Sequence, residues 1–94
     1  MLLGDLLSRF SDETIAMEAI LRLGDVVLLA KSRERAHAEA LQLGAFAALA
    51  AQRYAAEASD EEWVTLLGAM GRSMDPALTY LNRALIHVTS GPTE

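Results

Sequence analysis

Glu34 and His37 stand three residues apart in Glu-Arg-Ala-His, a spacing that puts a carboxylate and an imidazole on one face of a helix. Helical di-iron sites use that pair, completed by glutamates from facing helices. Glu18, the interior glutamate of the preceding helical segment, matches in height residues near Gly44 rather than Glu34. A site at Glu34 and His37 would therefore have to be shared between two protomers. Otherwise the pair is the exposed start of a helix.

The other polar candidates carry less. His87 falls in the last turn of a predicted helix, where a cationic imidazole is favoured by the dipole and by exposed carbonyls, so capping accounts for it. Neither histidine has a neighbouring serine that a turn would present as a nucleophile. Gly68-Ala-Met-Gly71 is too short for a phosphate loop and lacks its lysine, and reads as a helix end. With no cysteine, thiol nucleophiles, disulfides and zinc-thiolate sites are excluded. Trp63, the sole tryptophan, suits core packing and would equally suit an interface anchor beside Tyr54 or Tyr80. No residue set qualifies as catalytic, and no cofactor is implied.

Charge narrows the partners. Thirteen acidic residues against eight basic ones give a net charge of −5, the wrong sign for a nucleic-acid backbone or an anionic membrane as principal partner. Lys31, Arg33 and Arg35 form the only basic cluster, but Glu34 interrupts it and no aromatic is interleaved, so it reads as a solvated inter-helix turn. The longest uncharged stretch, Ala40 to Gln52, is 13 residues, where a membrane span needs about 20. The N-terminal residues lack the basic segment and apolar run of a secretory leader, and a cytoplasmic location is expected.

The elements that must position these side chains are helical. Alanine (17) and leucine (16) far outnumber valine and isoleucine (seven together), and no window alternates with period two. Five segments are predicted in a single domain over residues 1–90, followed by a polar tail, 91–94. The first, about Leu2 to Arg9, carries Leu2, Leu3, Leu6, Leu7 and Phe10 on one stripe. Ser11 caps a second, with Ile15, Ala19, Leu23, Val26 and Ala30 in a rhythm that passes through Gly24; a break at Gly24-Asp25 is the competing reading. Unbroken from Asp12 to Glu57 the helix would be roughly 69 Å long, so a turn is placed near Lys31-Ser32, with Ser32 capping a third helix to about Ala58. Leu41 to Ala51 is apolar on all sides and marks that helix as central. Ser59 and Glu62 form a capping box for the fourth, buried through Trp63, Leu66, Leu67 and Met70. Asp75-Pro76 opens the fifth, with Leu78, Leu81, Leu85 and Val88 inward.

The predicted fold is all-α, a compact array of four to five helices around an Ala-rich central helix. Apolar residues make up 52% of a 94-residue chain, an excess that points to a non-enzymatic protein–protein interaction module: a small adaptor, chaperone or subunit that pairs with a protein partner or with its own copy, most simply as a homodimer. The predicted contacts are the N-terminal stripe (Leu2, Leu3, Leu6, Leu7, Phe10) and the small-residue face of the central helix (Ala40, Gly44, Ala47, Ala48, Ala51). The alternative is a helical-bundle metal-binding protein with the Glu34/His37 site shared between protomers.

Overall fold

Short polar side chains set most helix starts in residues 3–90, the part of the chain that the computed structural model describes. After α1 (Leu3–Phe10), the Asp12 carboxylate accepts from the backbone N–H groups of Thr14 and Ile15 and opens α2 (Glu13–Arg22). Asp25 accepts from Leu28 N–H to open α3 (Val26–Ala38), and α4 spans Leu43–Glu57. Ser59 accepts from Glu62 N–H at the start of α5 (Asp60–Gly71), and Asp75 from Leu78 N–H at the start of α6 (Pro76–Thr89), where Pro76 occupies the first helical position. Each such cap satisfies an orphan donor of the first turn and is worth about 1 kcal/mol.

The described residues thus hold six helices, one more than the upper expectation, and two predicted boundaries move. The second predicted helix breaks at Gly24, whose φ of +70° is the left-handed conformation that ends α2. The chain then runs straight through Lys31-Ser32 as α3. Ser32 is a fully buried mid-helix residue, not a cap, and its hydroxyl has no hydrogen-bond partner among the described residues. The reversal comes eight residues later. Leu41 N–H donates to Ala36 C=O at 2.8 Å and Ala40 N–H to His37 C=O at 3.1 Å, with Ala40 at φ +58°. That is a Schellman motif with alanine in the left-handed position usually held by glycine. The cap of α2 is Asp12 rather than Ser11, whose hydroxyl donates instead to Ser8 C=O.

Central placement of the Ala-rich segment is correct. α4 packs against α1, α2, α3 and α6, and buries Phe46, Ala47, Ala50, Ala51 and Tyr54. It approaches α2 closely at Gly44, where a Cβ would lie 2.5 Å from the Glu13 carbonyl oxygen. From α6 come Tyr80, Leu81, Ala84 and Leu85, all fully buried, and from α1 come Leu6 and Phe10. The Phe10 ring stacks on Tyr80 at 6.3 Å, and Tyr80 meets Tyr54 edge-on at 5.4 Å. The Tyr80 hydroxyl donates to Ala51 C=O at 2.6 Å, so aromatic bulk and hydrogen bonding both tie α6 to α4. The Cα radius of gyration, 12.3 Å, is close to the ~12 Å of a folded chain of this length. No helix among the described residues is long and apolar enough to cross a membrane.

Breaking at Gly24 changes which residues face inward. In α3 the buried positions are Leu28, Ser32 and Ala36, so Val26 and Ala30, predicted to be inward, are exposed, and so is Val27. In α5, Leu66 is buried with Trp63 and Met70 half-buried, whereas Leu67 is 63% exposed rather than inward. The predicted polar tail, 91–94, lies outside the described residues.

Candidate functional site

The densest polar constellation sits where α4, α5 and α6 meet. Arg83 donates from Nε to Glu62 Oε2 at 2.7 Å and from Nη2 to Oε1 at 3.0 Å, while the Tyr54 hydroxyl donates to the same Oε2. The Arg83 hydrogen bonds, reinforced by the Tyr54 hydroxyl, hold the Glu62 carboxyl below the usual carboxylate range. Glu62 in turn raises Arg83. Burial, with the Glu62 hydrogen bond added, pushes the Tyr54 phenol up to about 12. Glu62 is therefore an ionised acceptor held by three donor contacts, and Tyr54 is a permanently protonated donor. Nothing in the trio is a free base at neutral pH.

Next to it, His87 Nε2 donates to Glu57 Oε1 at 3.0 Å, and the imidazole meets the Tyr54 ring edge-on at 5.5 Å. Glu62, Arg83, His87 and Ser90 line one shallow cleft. The Ser90 hydroxyl donates to Ile86 C=O, so its proton does not run to the imidazole. This cleft holds a serine and a histidine without the hydrogen bond that would make the serine a nucleophile. Its geometry is that of a clamp joining three helices.

Glu34 and His37 are both exposed on α3. Among the described residues, no group of three or more His, Cys, Asp or Glu side chains converges on a space that could hold a metal ion. The pair therefore has no third ligand from the described part of its own chain.

Most predicted contact residues are spent inside the chain. Leu6, Phe10, Gly44, Ala47 and Ala51 are buried in the core, and Leu7 and Ala48 are half-buried. Ala40 is exposed, in the reversal between α3 and α4. Leu2 and the Leu3 side chain lie outside the described residues. Within the described residues, α1 packs on its own α2 and α4, which buries Leu6 and Phe10 without a second subunit.

No protein family, curated protein or solved structure matches the chain.

Exposed apolar side chains make up the remaining feature. Val64 is 72% and Leu67 63% exposed on α5, while Val26 and Val27 are 78% and 65% exposed at the start of α3. α5 is also the peripheral helix, with α6 its principal packing partner. Sequence periodicity missed Val64 and misassigned Leu67. No local signal separates Leu66 from Leu67, because adjacent helical positions 100° apart can both be buried, as Ala50 with Ala51 and Tyr80 with Leu81 are here.

Proposed function

We propose that this chain is a non-enzymatic helical interaction module that works by self-association, through the outward face of α5 rather than through the core-facing stripes of α1 and α4. The observation that carries this reading is the exposure of Val64 and Leu67, three residues apart on one face of a helix that is otherwise docked by its opposite face. Burying a valine or leucine contributes about 1.5–3 kcal/mol, so a few such side chains supply a useful part of a dimer's association energy. The ionised groups of the α4–α5–α6 clamp fit the same reading: they fix α5 on the body so that its outer face is presented rigidly.

Sedimentation equilibrium tests it. The wild-type chain is expected to reach twice its 10.1 kDa mass as concentration rises, and Val64→Glu with Leu67→Glu to stay at the single-chain mass with unchanged helical circular dichroism. A wild-type protein that remains a 10.1 kDa monomer throughout overturns the proposal.

A further inference from the structure

We infer that the surface which covers the α5 stripe is α3 of a second copy of this chain, laid antiparallel. The inference rests on the self-association proposed above and adds the partner face and its register.

The outward stripe of α5 runs Asp60, Val64, Leu67, acidic at its start and apolar beyond it, all three exposed. The outward stripe of α3 runs Val26, Ala30, Arg33, apolar at its start and basic beyond it, again all exposed. The two are complementary only when the helices run in opposite directions. Leu67 to Asp60 and Val26 to Arg33 are each seven residues, a rise of about 10.5 Å at 1.5 Å per residue. Setting Leu67 on Val26 therefore brings Val64 to Ala30 and Asp60 to Arg33. Ala30 is small enough to let the two helix backbones approach at the centre of the contact.

One flank carries a further pair of opposite charges at the rim of the contact. Glu61 on α5 and Lys31 on α3 lie on the same side of their stripes at nearly the same height, and antiparallel helices bring like flanks together. Glu34 is the one exposed acidic residue in this part of α3 and opposes the pairing, against two exposed cations. Antiparallel packing also sets the dipoles of the two helices in the favourable sense. Both helices flank the C-terminal half of α6: Ile86 and Ser90 line the cleft that holds Glu62 as well as the one that holds Val27 and Lys31. Each copy supplies one α3 and one α5, so a two-fold pairing makes the contact twice and closes at a dimer.

Charge reversal with sedimentation equilibrium tests this. Lys31→Glu with Arg33→Glu is expected to weaken the dimer by about tenfold or more, since like charges then face each other in both copies of the contact. Asp60→Lys with Glu61→Lys is expected to do the same, and the fourfold variant to recover most of the lost affinity. Because lysines in the first turn of α5 oppose its dipole, Asp60→Asn with Glu61→Gln serves as a milder form, expected to weaken the dimer by a few-fold and to reduce its salt dependence. A dimer whose affinity Lys31→Glu with Arg33→Glu leaves unchanged overturns the α3 assignment while self-association stands. A fourfold variant no tighter than the folded double variants overturns it too. A wild-type chain that never dimerises overturns both readings.

Discussion

Glu62 illustrates how a residue picked for one local task serves another. Its backbone N–H takes the Ser59 cap, as the capping-box spacing predicts, but its carboxylate does not fold back to Ser59; it reaches Arg83 and Tyr54 instead. Partly buried and gripped by a bidentate guanidinium, the ion contributes more than an exposed pair would. Glu62→Gln is expected to cost about 1–3 kcal/mol at pH 7, because Arg83 and Tyr54 lose the charged acceptor. The carboxyl's folded pKa lies below its unfolded value, so its stabilisation is complete above the unfolded value and is lost as pH falls through the folded one. Denaturation midpoints of wild type and Glu62→Gln should therefore be well separated at pH 7 and converge as pH falls below about 4. A gap that stays constant down to pH 3 would show that the charge of Glu62 contributes nothing.

Among the elements, the turn between α3 and α4 carries a local cost. Ala40 sits at φ +58°, where an L-residue's Cβ crowds the following carbonyl, and it is held there by the two Schellman hydrogen bonds to Ala36 and His37. Ala40 is exposed, so a glycine would lose no packing. Ala40→Gly is expected to raise stability by about 0.5–1 kcal/mol, the net of relieved strain over added unfolded-state entropy. Thermal or urea unfolding measures it directly, and a destabilised Ala40→Gly would mean that the left-handed turn is absent in solution. The matching turn between α2 and α3 already has its glycine at position 24. The difference explains why the first reversal could be entertained from the sequence and the second could not.

For the molecule as a whole, α1 matters out of proportion to its eight residues. Leu6 is fully buried and Phe10 nearly so, in a core whose large aromatic members otherwise come from α4 and α6. Gln52 donates to Leu7 C=O at 3.1 Å and fastens the same helix to α4. Removing residues 1–10 takes away at least two core side chains at about 1.5–3 kcal/mol each, a large share of the 5–15 kcal/mol that holds a typical domain together. The truncated chain is expected to unfold at a much lower temperature than the full chain when both are compared as monomers at high dilution. An unchanged melting temperature with only the assembled mass lost would instead place α1 at a subunit contact.

Composition and spacing alone determined the all-helical class, the central position of the Ala-rich segment, and the starts of α5 and α6 at Ser59 and Asp75. Those features depend on propensity and on hydrogen bonds spanning three residues, which are local by nature. The absence of cysteine chemistry needed no structure either. Tertiary structure decided what local rules leave open. A helix carries its phase across a boundary only if the boundary is helical, so once Gly24 turned left-handed, Leu28, Ser32 and Ala36 faced the core and Val26, Val27 and Ala30 faced out. Gly44 looked like a place for close packing, but that its neighbour is the Glu13 carbonyl of α2 depends on how two separate helices cross. Arg83 meets Glu62 across 21 residues of chain, and Tyr54 meets it from another helix, contacts with no short-range signature. Leu66 and Leu67 are identical in type and adjacent in sequence. One is fully buried and the other mostly exposed, because α6 offers a surface to only one side of α5.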